Sequence, residues 1–451
     1  MTTTHRSGAS GEFIDETGVS RRTIVAGAAW TIPVVAVATA TPAVAATTDL
    51  KLAFDKSSYS GEACKTVSGV KVTATRNGVA APGESVTVSL ADGYTFSDGS
   101  TSHTATTGSD GSITLPDITV PAKGGDSTMS ATSGNATASA ALQAASNAGD
   151  LWRSDTGKKT GAKNVAQVFT DGTGSVYAVT ASGDLVDSGG GVVASGLDSS
   201  NMRVAAIAKT TNDGGTAVFY IKDGDLYRSD TGKKTGATGV AQVFTDGTGS
   251  VYAVTKSGDL VNSGGSVVAS GLSSSNTRVA AIAPTSNNGD TAVFYIKDGD
   301  LYRSDTGKKT GATNVAQVFT DGTGSVYAVT KSGDLVDSGG SVVDSGLDSS
   351  NTRVAANAKT TNDGGTAIFY VKDGNIYRSD TKKKTGATNV SQVFTDGTGS
   401  VYAVTKSGDL VNSGGSVAGS GLKASNPRVA AIAPTSNDGD TAVFYIKEAT
   451  C

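Results

Sequence analysis

Histidine is almost missing from this chain: of 451 residues only His5 and His103 carry an imidazole. That excludes histidine-based triads and multi-histidine metal sites. An excess of one charge is missing too, since 37 basic and 41 acidic residues give a net charge of −4. No electrostatic footprint for nucleic acid or anionic lipid follows from that balance. Charged residues make up only 17% of the chain, against about 25% in an average protein. Cysteine is confined to Cys64 and Cys451, and tryptophan to Trp30 and Trp152. What is abundant is glycine, 59 residues, together with Ser, Thr and Val. That mixture points to β-strands joined by tight turns, while hydrophobic residues at 37% keep the chain in the ordered globular class.

Residues 1–45 read as an export segment. A polar stretch ends in Ser20-Arg21-Arg22-Thr23-Ile24-Val25, an uncharged run follows to Thr48, and Ala43-Val44-Ala45 has the small-x-small form that a signal peptidase accepts. Arg21 and Arg22 resemble the twin-arginine motif of the Tat pathway, with Ala26 where that motif often has lysine. The resemblance implies secretion of an already folded cargo. Pro33 and Pro42 argue against a spanning helix, so the mature protein is expected not to cross a membrane. No hydrophobic tail precedes Cys451, and covalent wall anchoring is not expected.

Residues 46–147 hold short runs of alternating apolar and polar residues, such as Leu50–Phe54, Val70–Ala74, Val86–Leu90 and Ile113–Leu115. Turn signals at Asn77-Gly78, Pro82-Gly83, Asp92-Gly93 and Asp110-Gly111 separate them. The pattern predicts a β-sandwich of about seven strands. The stretch from Ala81 to Val88, followed by Asp110-Gly111-Ser112-Ile113-Thr114-Leu115, resembles bacterial Ig-like domains of the invasin/intimin type. That resemblance implies a spacer or adhesive module.

Residues 148–451 are internally repetitive. Leu151-Trp152-Arg153-Ser154-Asp155 recurs at 226, 301 and 376 with Tyr in place of Trp, and at 376 with Ile in place of Leu, so four copies of 75 residues follow one another. Each copy divides into two related halves, and each half reads as a β-meander of the kind used for a propeller blade. The run Ala292-Val293-Phe294-Tyr295-Ile296 is apolar at consecutive positions, which requires cover on both faces. The ends are offset: residues 150–161 are a closing half without an opening half, and Arg428–Lys447 is an opening half without a closing one. Joined, they complete an eighth unit and remove an exposed edge. The expected fold class is therefore all-β: an Ig-like sandwich, then an eight-bladed β-propeller closed by strand exchange into the last blade.

The blade sequence Val-Tyr-Ala-Val-Thr-Lys-Ser-Gly-Asp-Leu at 251–260, with Phe294–Leu301 in the partner half, resembles tectonin/tachylectin-like propeller lectins. Sugar binding on or between blades is what that family implies. The candidate ligand-binding residues are Trp152, Arg153, Tyr227, Arg228, Tyr302, Arg303, Tyr377 and Arg378, because an aromatic face packs on a sugar and a guanidinium supplies donors. The competing reading packs each ring between blades and bonds each arginine to a turn. The Ser154-Asp155-Thr156-Gly157 segments match a sialidase Asp-box only in part and are read as turns. Every candidate acid or base occurs four times in near-identical surroundings, so no asymmetric catalytic constellation is expected, and no cofactor or metal.

In an exported chain, Cys64 and Cys451 invite a disulfide that would clamp the sandwich to the closed ring; two free thiols or a bridge to another molecule are the alternatives. The functional expectation is a secreted, monomeric, multivalent binder of a glycan or cell-wall polymer. A surface scaffold is the second reading and a propeller-type glycoside hydrolase the third.

Overall fold

The computed structural model describes residues 50–451 apart from 145–147, 171–173, 211–214, 246–248, 286–290, 321–323, 361–364, 396–398 and 436–440. The expected export segment, with Arg21 and Arg22, lies outside the described residues. The described residues belong to one compact unit, 49–451. They are all-β, built from many small sheets, and no helix among them is long and apolar enough to cross a membrane.

Period-2 alternation produces the N-terminal part. The strand Ser127–Ser133 alternates buried and exposed residues along its whole length, and Val72, Val86, Val88, Ile118, Met129 and Leu142 meet in one core. Leu50–Phe54 pairs antiparallel with Lys71–Arg76, which in turn pairs with Ser112–Thr114. The expected turn at Asn77-Gly78 has both residues at positive φ, 52° and 80°, and carries Lys71–Arg76 back along Val79–Ala80. A five-stranded sheet runs in the order Ser58–Gly61, Ala136–Ala144, Ser127–Ser133, Ser85–Ser89, Ser102–Thr106. Ser58–Gly61 and Ala136–Ala144 are parallel. Twelve strands form where about seven were expected. The additional ones are two-residue pairings or, like Ala136–Ala144, rows of small residues with little β-propensity of their own.

Among the described residues from 150 onward eight sheets follow, two for each 75-residue copy. One copy shows the pattern. Val240–Thr245, Val251–Thr255, Asp259–Asn262 and Val267–Ser270 form a four-stranded antiparallel meander, then Ala280–Pro284, Thr291–Lys297 and Asp300–Arg303 form a three-stranded one. The central strand Thr291–Lys297 buries five residues in succession because neighbouring sheets cover both its faces. The first strands of the eight sheets touch in cyclic order, and Ala430–Pro434 returns to Val165–Thr170. The architecture is β-propeller-like.

The last sheet joins the two ends of this region. Asp150–Arg153 pairs antiparallel with Thr441–Lys447, with Leu151 opposite Ile446 and Trp152 opposite Tyr445. Leu151 is fully buried. Gly149 has a φ of 140°, and the Lys447 carbonyl stands where its Cβ would be, so no side chain fits at this entry. Cys64 and Cys451 are disulfide-bonded across 387 residues, with their Cα atoms 5.4 Å apart. Of the alternatives the sequence leaves open, this is the intramolecular bridge.

Candidate functional site

Each of the four aromatic/arginine pairs ends the third strand of a different sheet, so the structure does not bring the pairs together. Their surroundings repeat. Tyr227 stacks on Tyr220 at 5.6 Å between ring centroids, and the Lys234 ammonium stands 6.0 Å over Tyr227, tethered to Asp225 at 2.5 Å. Tyr302 and Tyr377 stack in the same way on Tyr295 and Tyr370. Trp152 instead has two ammonium groups over it, Lys159 at 5.8 Å and Lys447 at 5.0 Å.

The arginines are held as firmly. Arg228 donates Nε and Nη2 to the two carboxylate oxygens of Asp230, at 3.1 and 2.6 Å, while its guanidinium lies over Phe219 at 5.5 Å. Arg153, Arg303 and Arg378 repeat the fork with Asp155, Asp305 and Asp380. Hydrogen bonds from Arg303 and Arg378 hold the carboxyls of Asp305 and Asp380 below the usual carboxylate range. Burial pushes the Tyr220 and Tyr295 hydroxyls up. The Ser-Asp-Thr-Gly segments close turns: Ser229 Oγ accepts from the Val218 amide at 2.9 Å, and the Gly232 amide donates to the Arg228 carbonyl at 2.9 Å. Each pair is thus half-buried with its guanidinium bonded to a carboxylate, and each of the three tyrosines has one ring face against a neighbouring ring.

Concave surface lies elsewhere, between sheets. A groove of about 750 Å³ is lined by Asp198, Asn201, Asp223, Gln242 and Lys256 over an apolar floor of Val204, Ile221 and Val240. Seventy-five residues on, a groove of about 330 Å³ presents Ser273, Asn276, Asp298 and Lys331 over Val279, Ile296 and Val315. The same place in the closing copy holds a groove of about 660 Å³, with Lys423, Asn426 and Ala148 over Val429, Ile446 and Val165. Here Pro121, Ala122 and Lys123 of the N-terminal part form one wall. No aromatic ring lines any of the three among the described residues.

The groove floors are preorganised by their own bonds. Asn201 Nδ2 donates to the Ala241 carbonyl at 2.8 Å, and its Oδ1 accepts from the Arg203 amide at 2.9 Å. Gln242, buried in the first strand, donates Nε2 to the carbonyls of Ser274 and Asn276 at 2.6 and 3.1 Å. These residues spend their polarity on joining sheets, while Asp223 and Lys256 stand exposed at the rim. Asp198 accepts from Ser200 and is held below the usual carboxylate range by it, as Asp348 is by Ser350. Sequence reasoning missed the grooves because their walls come from adjacent sheets. The recurring Asn-x-Arg-Val at 201, 276, 351 and 426 was the only visible signal.

No family model matches the chain, and no protein of curated function matches it. Among solved structures, it is similar to a quinoprotein alcohol dehydrogenase-like protein from Bacteroides thetaiotaomicron: 10% identity, 86% of this chain and 96% of that one, TM-score 0.29. It is also similar to invasin, a bacterial integrin-binding protein, at 14% identity over 79% of this chain and 76% of that one, TM-score 0.18. Domains 5 and 6 of an S-layer protein cover 45% of this chain and 89% of their own at 16% identity, TM-score 0.17.

Proposed function

We propose that this is an exported, non-catalytic, multivalent binding protein in which an Ig-like sandwich precedes an eight-bladed propeller, and that its ligand is a glycan or cell-wall polymer. One observation carries the reading: the same groove, with an acid and a lysine at its rim, occurs twice at 75-residue spacing, as Asp223 with Lys256 and Asp298 with Lys331. Equivalent weak sites on one rigid body gain avidity when the ligand is itself repeated. The tyrosine/arginine pairs are the other candidate surface. Their rings are already stacked and their guanidiniums already paired, so the grooves have more unused bonding capacity.

A binding screen of the full chain against glycans and wall polymers tests this. We expect binding that weakens at least tenfold in the double variant Lys256→Ala, Lys331→Ala. A loss confined to Tyr227→Ala, Tyr302→Ala, Tyr377→Ala moves the site to the pairs. Failure to bind any polymer removes the proposal and favours a scaffold. One feature supports that second reading: Val192, Val267, Val342 and Val417 stand 62–66% exposed on outermost strands, an edge that another copy can cover. Concentration-dependent self-association in sedimentation would mark it.

A further inference from the structure

Four arginines that the binding proposal does not use meet on the axis of the ring. Arg203, Arg278, Arg353 and Arg428 occur one per 75-residue copy and together line a cavity of about 160 Å³. Arg203 donates Nε to the Thr277 carbonyl at 2.9 Å, Arg278 to the Thr352 carbonyl at 2.9 Å, and Arg428 to the Met202 carbonyl at 3.0 Å. Each acceptor is the residue just before the next copy's arginine, so the three bonds run head to tail from Arg428 through Arg203 to Arg278. They fix the guanidinium planes of Arg203, Arg278 and Arg428 and leave their terminal nitrogens Nη1 and Nη2 without an acceptor among the described residues.

No carboxylate answers this charge. The remaining lining consists of Met202, Thr277, Thr352 and Pro427, and none of the ion pairs among the described residues includes these arginines. The side chains are half-buried, and what is accessible of them is reached through the cavity. Burial and the neighbouring guanidiniums push Arg203 and Arg353 well down. Burial above all lowers Arg278 and Arg428 to about 10. A guanidinium nonetheless keeps its proton at neutral pH. Like charges gathered out of bulk water repel strongly, so the arrangement calls for a counter-anion.

We infer that the ring of four arginines binds one tetrahedral oxyanion, of the phosphate or sulfate class, on the propeller axis. Size permits it: a cavity of about 160 Å³ has room for a compact five-atom ion. Shape agrees as well, because converging donor forks match four oxygens better than they match a spherical halide. Met202 and Thr277 also line the 750 Å³ groove, so the oxyanion is either free or the terminal group of a larger ligand that enters from that side.

Equilibrium dialysis of the full chain in chloride buffer, with radiolabelled inorganic phosphate and then sulfate, tests the inference. We expect one ion bound per chain, a Tm that rises with phosphate or sulfate, and binding at least tenfold weaker in Arg203→Gln, Arg353→Gln. Should that double variant unfold, the single substitution Arg278→Lys keeps the charge while losing the fork, and a several-fold loss is expected. Glycerol phosphate that competes as well as inorganic phosphate identifies an ester-borne group; failure to compete identifies the free ion. Both support the class. No saturable oxyanion binding in the wild type, or binding unchanged in folded variants, overturns it.

Discussion

Two sheets of the ring are chemically alike and covalently different. The sheet of Ala205–Lys209, Thr216–Lys222 and Asp225–Arg228 is one continuous piece of chain, whereas its counterpart takes Ala430–Pro434 and Thr441–Lys447 from one end and Asp150–Arg153 from the other. Bond by bond they match. Ser229 Oγ accepts from Val218 and Ser154 Oγ accepts from Val443, both at 2.9 Å. Asn201 reaches Ala241 and Asn426 reaches Ala166, both at 2.8 Å. Leu226 and Leu151 are both fully buried. Chain continuity is therefore not needed to form the sheet. What continuity does provide is a short loop-closure distance, and at the split sheet the Cys64–Cys451 bridge stands in for it.

The largest effect is expected where that substitution is probed through the core. Leu151→Ala and Leu226→Ala each remove a fully buried side chain and should cost about 2–5 kcal/mol in denaturant unfolding. Leu151→Ala should also abolish protection of 441–447 from proteolysis, while Leu226→Ala should leave the ends paired. Equal proteolysis of both variants would break the comparison. Next comes the bridge itself: Cys64→Ser, Cys451→Ser should lower stability by about 2–5 kcal/mol, and the loss should show first as fraying of the split sheet in hydrogen exchange.

The third copy sharpens the comparison on a smaller scale. Asn357 is 3% exposed, and neither its Oδ1 nor its Nδ2 has a partner among the described residues. The other copies have Ile207, Ile282 and Ile432 at this place. Asn357→Ile should therefore raise stability by about 1–3 kcal/mol in chemical denaturation. Asp344 gives the smallest expected effect. It accepts from the Tyr370 hydroxyl and from Lys372 Nζ at 3.1 Å, where Ala194 and Ala269 stand in the first two copies. Burial alone would raise its pKa, but these bonds outweigh that and hold it below the usual carboxylate range. A lowered folded-state pKa stabilises above the unfolded value and loses that contribution as pH falls. The gap of about 1 kcal/mol between wild type and Asp344→Ala should thus be present at pH 7 and shrink as the pH falls through and below the usual carboxylate range. A gap that does not shrink on acidification would contradict it.

Much of this was legible in one dimension. The 75-residue period, the two halves of each copy and the offset of the ends all follow from Leu151, Leu226, Leu301 and Ile376 and their neighbours. The strand Ala136–Ala144 was not legible, because alternating Ala, Thr and Ser carry no apolar period; it is held by Ser127–Ser133 on one side and Ser58–Gly61 on the other. Nor were the grooves, whose walls in one case are drawn from separate stretches between Gly196 and Thr277. The arginines at 203, 278, 353 and 428 repeat visibly, yet only closure of the ring sets Arg428 beside Met202 and turns four side chains into one site.

Closure is accordingly the claim to measure. Native-state hydrogen exchange with the disulfide intact should find the amides of 150–153 and 441–447 protected together, at the level of 225–228 and 216–222 in the continuous sheet. Rapid exchange of either end segment while the continuous sheet stays protected would show that the chain does not close on itself.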